Sequence, residues 1–405
     1  MANLKRRRSQ RFQPADYQSR TLPGDERIHA SIYTTGSDII EHTKNGEVRT
    51  LFENLQRGAK VSNNGYFLGE RDSDRKRTYG WIRYDDAINR AQRIGSGLIQ
   101  LGLKAGADTR IGICGNNSTE LVLASYGAVA YSMVVVPLYY NYSKEAQIHI
   151  INQCRLEVIF ADNFARISTI IENAAETPCL KHVVLMKQDA DMESEAKAKK
   201  ANVKLINFSY LLTLGDKNMM PVQPPTRDDL YIICFTSGTT GPPKGVMLTH
   251  KAMVANLASI TIAIEAHKYQ LTPEGEVELN KLSKLISAPP FEDVYISFLP
   301  MAHIYEQYIQ TYIIYHGARI GFYSGDTQKI LDDMQELKPT VCSMVPRLLN
   351  RIYGTVEKGA ADFGYIKRKI YKKALSSKLK MLERGQVTTN SVWDRLVFRK
   401  IQALP

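Results

Sequence analysis

The sequence predicts an α/β fold built on parallel sheets. Short apolar segments alternate with segments of helical periodicity along much of the 405-residue chain. Four segments predict strands at 110–114, near Val134, at 156–161 and at 182–186, and three predict helices over 84–103, from Ser118 and from Ser143. Strands that alternate with helices are typical of βαβ units, in which helices cover both faces of a parallel sheet.

The composition is that of a globular protein, with 44% hydrophobic and 23% charged residues. The five cysteines are scattered and form no CxxC or Cys/His cluster, which predicts reduced thiols. The formal charge of +12 favours contact with anionic molecules or lipid, or it serves solubility alone. Zinc-finger spacing and RNA-binding signatures are absent from the sequence, so we expect no nucleic-acid partner.

One uncharged stretch, residues 121–140, is long enough to span a bilayer. Gly127 and Pro137 interrupt it, and its second half is β-branched around Val134–Pro137. We therefore interpret it as a buried helix that leads into a buried parallel strand.

The chain divides into three predicted parts. Residues 1–45 are polar and predict a disordered arm, which carries a basic run from Lys5 to Arg8 but no secretory signal. Residues 46–225 predict a first βα subdomain, in which the charged stretch 187–203 is a linker or surface helix. Residues 226–405 predict a second βα subdomain, with strands at 229–235, 246–248, 294–299, 318–323 and 340–344, and helices from Thr249, His303, Thr327 and Pro346.

The strongest chemical signal is the segment TSGTTGPPKG at residues 236–245, which follows a buried strand. Its three glycines permit backbone angles closed to other residues, and consecutive backbone N–H groups in such a turn bind anions. Four hydroxyl groups and the charge of Lys244 add further contacts. Together these features predict a loop that binds nucleotide phosphates. A P-loop is excluded, because Gly245 and a strand follow Lys244.

At this point the sequence resembles the adenylate-forming enzymes, whose signature is similar to the run from Phe235 to His250. The segments at 130–146, 298–307, 316–326, 337–353 and 391–404 resemble the branch of eukaryotic long-chain fatty acid–CoA ligases. The resemblance covers the chain from about residue 50 and implies the large N-terminal domain of these enzymes. Members join a carboxylate to AMP, release pyrophosphate and mostly transfer the acyl group to a thiol.

The resemblance implies roles for matching residues. The nucleotide phosphates would contact the loop, and the hydroxyl of Thr236 would be the Mg²⁺ ligand. His303 would lie beside the acyl-adenylate, the alternative being a core histidine that caps a helix. Gln307 stands where some bacterial relatives place an aromatic gate. The implied set comprises catalytic His303 and Lys244, cofactor-binding Thr236, Ser237, Gly238, Thr239, Thr240, Gly241 and Lys244, and tunnel residues Ala302, Tyr305 and Gln307.

The chemistry needs no side-chain nucleophile, because the fatty carboxylate itself attacks the α-phosphorus. The resemblance thus implies ATP, Mg²⁺, coenzyme A and a long-chain fatty acid as cofactors and substrates. It also implies a longer protein: the Glu that completes the Mg²⁺ site, the ribose-binding Asp and the small C-terminal domain are absent from these 405 residues. We therefore expect little or no ligase activity from this chain alone.

Two alternatives to a long-chain ligase stay open. The first is a non-catalytic protein that keeps the nucleotide loop and a basic surface. The second is a ligase for medium-chain or aromatic acids. The sequence gives no oligomeric state. The resemblance and the basic N-terminal run together predict a peripheral protein on the cytoplasmic face of the endoplasmic reticulum or another organelle membrane, with the cytosol as alternative.

Overall fold

The computed structural model describes residues 19–24, 26–31, 40–43, 46–71, 78–139, 141–236, 241–268, 290–361, 363–384 and 391–399. The chain forms two compact units, one of residues 39–267 and 286–343 and the other of residues 1–38, 268–285 and 344–405. The first unit carries both large sheets and every predicted site residue.

The first unit contains two mixed α/β sheets, which confirms the predicted fold class. Its strands, numbered along the chain, are β3 (Tyr66–Arg71), β4 (Tyr79–Arg83), β5 (Arg110–Cys114), β6 (Val134–Pro137), β7 (Val158–Ala161), β8 (His182–Leu185), β9 (Lys204–Asn207), β10 (Leu230–Thr236), β11 (Lys244–Thr249), β12 (Val294–Ser297), β13 (Arg319–Phe322) and β14 (Val341–Cys342). The seven-stranded sheet has the order β11-β10-β6-β5-β7-β8-β9, and the five-stranded sheet has the order β14-β12-β13-β3-β4. Neighbours pair in parallel, except that β11 is antiparallel to β10 and β4 to β3.

The sheets do not follow the predicted division at residue 225. Strands β10 and β11, from the expected second subdomain, extend the first sheet, while β3 and β4 join the second. The physical reason is that strand pairing depends on long-range burial rather than on order along the chain. The predicted helices are present as α2 (Tyr84–Gln100), α3 (Thr119–Val129), α4 (Lys144–Cys154), α6 (Met192–Lys200), α8 (His250–Lys268), α9 (Ile304–Tyr315) and α10 (Ile330–Leu337). Three further helices were not predicted: α1 (Leu51–Val61), α5 (Ser168–Glu172) and α7 (Phe208–Lys217).

Local sequence explains several helix starts. Ser118 and Ser143 are extended N-cap residues whose hydroxyls accept the backbone N–H of Leu121 and Ala146. Such caps satisfy N–H groups that lack a partner in the first helical turn. Helix α6 accounts for the charged stretch 187–203 and lies mostly exposed.

Both faces of the seven-stranded sheet are buried. Val135 belongs to the core between the two sheets, together with α1, α2, α3 and α9. Its neighbours Val134 and Val136 belong to a second core under α4 and α5. Because successive side chains point to opposite faces, burial on both sides explains the continuous apolar run in β6. The stretch 121–140 is thus a buried helix and strand, and in the described part of the chain no helix is long and apolar enough to cross a membrane.

The described part of the second unit contains an antiparallel strand pair, two α-helices and a short π-helix at Asp394–Phe398. Strands β1 (Ser19–Thr21) and β2 (His29–Ser31) pair within the region that was expected to be an irregular arm. Residues 1–18, including the basic run, lie outside the described residues. Helix α11 (Pro346–Ala361) begins at the predicted proline, and α12 (Tyr365–Glu383) follows it.

All five cysteines are free thiols, and burial raises the pKa of Cys114 to about 12.

Candidate functional site

The Gly-rich loop connects two antiparallel strands at one end of the seven-stranded sheet. Thr236 ends β10 and pairs with Lys244, the first residue of β11, so the strand begins two residues earlier than predicted. Both side chains are exposed, and the Thr236 hydroxyl donates to the Lys244 carbonyl over 3.5 Å. Such a long contact is weak, and it leaves the hydroxyl available for a ligand.

The tip of the loop is only partly described. Ser237, Gly238, Thr239 and Thr240 lie outside the described residues. Gly241 has a φ of +98°, a backbone conformation that favours glycine, and it is exposed. The structure therefore pairs Thr236 with Lys244 at the ends of β10 and β11, with both side chains and Gly241 exposed. That these residues bind phosphate stays a prediction.

Two tyrosines beside the loop were not singled out from the sequence. Tyr142 donates its hydroxyl to the Phe235 carbonyl at 3.2 Å, and its ring lies 5.1 Å from that of Tyr139. Both residues follow β6, which is parallel to β10, so the two strands end at the same edge. The YxxY spacing after an apolar strand was the available signal.

The second predicted segment forms a tight turn after β12. His303 donates its backbone N–H to the Pro300 carbonyl and caps α9, with Nδ1 accepting the Tyr305 N–H at 3.1 Å. A nitrogen that accepts a hydrogen bond carries no proton, so the donor N–H of the ring is at Nε2. Since His303 is exposed, this donor can reach a negatively charged oxygen of a ligand. His303 thus caps a helix, as the alternative interpretation expected, but it is exposed and is not a core histidine.

The three proposed tunnel residues differ in their surroundings. Ala302 is partly buried and Tyr305 is 46% exposed. Gln307 is buried, and both polar atoms of its amide are hydrogen-bonded: Oε1 accepts from the Tyr231 hydroxyl at 2.9 Å and Nε2 donates to the Met301 carbonyl at 2.7 Å. In this structure Gln307 holds the turn in place.

A buried polar cluster below this turn was missed from the sequence. Glu306 is fully buried and accepts hydrogen bonds from Tyr295 at 2.5 Å, Ser297 at 2.6 Å and Gln310 at 2.9 Å. Burial raises its pKa to about 7, although the three hydrogen bonds act in the opposite direction. The sequence hid this role because an acidic residue three positions after a cap is ordinary in the first turn of a helix.

Asn117 joins this cluster to the other sheet. It follows β5, and its Nδ2 donates to Ser297 at 2.8 Å and to the Leu299 carbonyl at 2.6 Å. Its Oδ1 accepts the Met301 N–H at 3.0 Å. Strand β5 is two strand spacings from β10, roughly 10 Å. Asn117 thus fixes the His303 turn at the same edge as the phosphate loop.

Glu306 predicts a specific pH dependence of stability. Its pKa is about 7 in the folded chain and ordinarily near 4.5, so the folded state binds more protons between these values. Stability contributed by the protonated group is therefore lost as pH rises from about 4.5 to 7. Relative to Glu306→Gln, we expect the wild-type chain to lose a few kcal/mol over this range, measured by urea unfolding at each pH. The same pH profile for both chains would contradict this assignment.

Comparisons with known proteins agree with these observations. The family model of the AMP-binding enzymes matches residues 68–401. Long-chain-fatty-acid–CoA ligase 1 of Cavia porcellus is 39% identical over 359 residues, which are 88% of this chain and 48% of that protein. Long-chain-fatty-acid–CoA ligase 5 of Rattus norvegicus is also 39% identical, over 88% of this chain and 49% of that protein. The chain spans about half the length of the curated relatives it matches.

A solved structure supports the fold. The A domain of carboxylic acid reductase from Segniliparus rugosus, in complex with AMP and a co-purified carboxylic acid, has a TM-score of 0.61 at 18% identity. The match covers 85% of this chain and 56% of that chain. The chain described here therefore shares the fold of that A domain.

Proposed function

The chain belongs to the AMP-binding enzyme family, and we propose that it contributes to the ATP-dependent activation of long-chain fatty acids through an acyl-adenylate. The observation that carries the proposal is the pairing of Thr236 with Lys244 at the strand ends that flank the Gly-rich segment, where both side chains and Gly241 are exposed. The long-chain substrate class rests on the 39% identity to long-chain-fatty-acid–CoA ligases.

The proposed reaction uses binding and charge rather than a protein nucleophile. A carboxylate oxygen of the fatty acid forms a bond to the α-phosphorus of ATP, and the bond from that phosphorus to the bridging oxygen of the pyrophosphate breaks. Lys244 and the loop N–H groups would hold the phosphates, and the Nε2–H of His303 would donate to an oxygen of the adenylate. Placing such donors where negative charge develops lowers the barrier.

Mg²⁺ fits this arrangement through one protein ligand. The weakly engaged hydroxyl of Thr236 supplies an oxygen, and Mg²⁺ in nucleotide sites commonly takes its other ligands from phosphates and water. Once bound, the ion neutralises phosphate charge. Within the described residues, no group of three His, Cys, Asp or Glu side chains is placed to hold a metal.

The proposed site would also bind the acyl chain and coenzyme A. Ala302 and Tyr305 would lie at the mouth of the fatty-acid tunnel, with Gln307 bracing the turn behind them. Transfer of the acyl group to coenzyme A would complete the ligase reaction, with release of AMP.

We also place the protein at the cytoplasmic face of the endoplasmic reticulum or another organelle, as a peripheral membrane protein, with the cytosol as alternative. The net charge of +12 and the run from Lys5 to Arg8 support attraction to anionic lipid. Sedimentation with phosphatidylserine vesicles, compared with phosphatidylcholine vesicles, tests this. Equal recovery with both lipids would remove the electrostatic argument.

Palmitate-dependent exchange between ATP and pyrophosphate tests the proposed reaction on the 405-residue chain. The chain spans about half the length of the relatives it matches, so we expect little exchange from it. The exchange that does occur should be at least tenfold greater with palmitate than with benzoate, because the tunnel segment resembles that of long-chain enzymes. Greater exchange with benzoate would overturn the substrate class, and no exchange from a folded chain that binds ATP would mean that the loop alone is insufficient or that the chain has a non-catalytic, nucleotide-binding role.

A further inference from the structure

Helix α12 in the second unit carries half of the formal charge of the chain. Its 19 residues include one acid, Glu383, and seven Lys or Arg, which gives the helix a formal charge of +6 against +12 for all 405 residues. The basic residues are Lys367, Arg368, Lys369, Lys372, Lys373, Lys378 and Lys380. None of the predicted site residues lies on α12, so its charge has no part in the proposed reaction.

One side of α12 is fixed by packing within the second unit. Tyr371 and Ala374 are buried on this side, and the Tyr371 hydroxyl donates to the Glu357 carboxylate of α11 at 3.0 Å. The Tyr371 ring also meets the Phe363 ring edge-on, with 6.3 Å between the two centroids. Because an α-helix has 3.6 residues per turn, Tyr371 and Ala374 lie roughly 60° apart around the axis and define the inward side of α12.

The opposite side of α12 carries four exposed lysines in a row. We call them the basic face: Lys369, Lys372, Lys373 and Lys380. They fall within roughly 100° of the helix circumference, about 150° from the buried side, and extend along about 16 Å of the axis. None of the four forms an ion pair with another described residue, whereas Lys378, nearer the packed side, pairs with Asp394 at 2.7 Å. The charge of the basic face is therefore available to a partner.

Exposed apolar side chains border the basic face. Tyr365 is 81% exposed, Ile366 73% and Leu379 51%, and all three lie within roughly 70° of its centre. A bilayer surface suits both kinds of side chain, because apolar groups enter the acyl boundary while ammonium groups reach the lipid phosphates. A nucleic acid would neutralise the lysines but leave the apolar side chains in water. The apolar border therefore favours a lipid surface.

We propose that the basic face of α12 binds the surface of a bilayer that contains anionic phospholipids. The inference rests on the peripheral membrane location proposed above, and it assigns the main contact to a folded helix instead of the run from Lys5 to Arg8. The negative potential of such a surface increases partitioning roughly fivefold for each nearby lysine. Since a helix holds the four lysines in one row, all of them can meet a flat surface together.

Sedimentation of the 405-residue chain with vesicles tests the proposal. The vesicles contain phosphatidylserine and phosphatidylcholine in equal amounts, or phosphatidylcholine alone. Lys369→Gln with Lys373→Gln should bind the phosphatidylserine vesicles at least tenfold more weakly than the wild-type chain, because two charges leave the basic face while helix propensity is kept. The matched control is Lys199→Gln with Lys200→Gln, which removes two exposed lysines of α6 and the same net charge. Binding of this control should fall less than threefold.

A variant of unchanged charge separates a bilayer from other anionic partners. Ile366→Ser with Leu379→Ser keeps every lysine but removes most of the apolar border, so it should weaken vesicle binding at least threefold. Unchanged binding in this variant would contradict a bilayer as the partner.

Three further outcomes would overturn the assignment to α12. An equal loss in the α12 and α6 lysine variants would show that net charge alone acts. Loss of binding in Arg6→Gln with Arg7→Gln, together with wild-type binding in the α12 lysine variant, would assign the contact to the N-terminal run and keep the membrane location. Equal sedimentation of the wild-type chain with both kinds of vesicle would remove the membrane location and this inference with it.

Discussion

Gly215→Ala should destabilise the chain by more than about 3 kcal/mol, since it forces apart two helices that meet at their backbones. A Cβ atom at Gly215, in α7, would lie 1.8 Å from the Arg93 carbonyl oxygen in α2. At the same crossing, a Cβ on Gly97 would lie 2.6 Å from the Leu211 carbonyl oxygen. Backbone atoms cannot move aside as side chains do, so the cost exceeds that of ordinary overpacking.

The matched control for this substitution is Gly354→Ala. Gly354 lies inside α11, and an added Cβ would meet no atom within 4 Å. Alanine is favoured over glycine within a helix by about 0.5–1 kcal/mol, so this variant should be slightly stabilised. Thermal unfolding followed by circular dichroism measures both. Melting of Gly215→Ala at the wild-type temperature would show that α2 and α7 do not approach so closely.

Much of the fold could be predicted because its signals are local. The βα alternation, the caps at Ser118 and Ser143, and the proline that starts α11 each depend on a few neighbouring residues. Strand order is different, because it depends on which buried faces meet. The division expected at residue 225 therefore failed to separate the sheets, as β3 and β10 each pair with strands distant in sequence.

The candidate site was predicted in part. Residue type and spacing predicted that the loop binds phosphates, and the resemblance to adenylate-forming enzymes implied a role for His303; both roles stay predictions. The buried cluster of Glu306 and Asn117 was missed, because a single charged residue on a helix normally faces solvent. The inward orientation of Glu306 depends on β12, which pairs with β13 and β14 inside the sheet. Two residues of β12, Tyr295 and Ser297, donate hydrogen bonds to the Glu306 carboxylate.

Lys244→Ala should weaken ATP binding by at least tenfold. A lysine that pairs with phosphate oxygens makes charge-assisted hydrogen bonds worth about 1.5–3 kcal/mol, which corresponds to roughly 10- to 150-fold in Kd. Lys244 is exposed at the base of the loop, so its removal leaves no buried gap and the chain should fold normally. Lys104→Ala is the matched control. Lys104 is also an exposed lysine, but it lies before the amino end of β5, at the sheet edge opposite to the loop.

Calorimetric titration of Mg²⁺ and ATP into the wild-type chain, Lys244→Ala and Lys104→Ala tests most directly whether the loop at residues 236–245 holds the nucleotide phosphates. We expect a single site in the wild-type chain, unchanged affinity in Lys104→Ala, and at least tenfold weaker affinity in Lys244→Ala. Affinity for ATP that is the same in Lys244→Ala as in the wild-type chain would contradict this role of the loop.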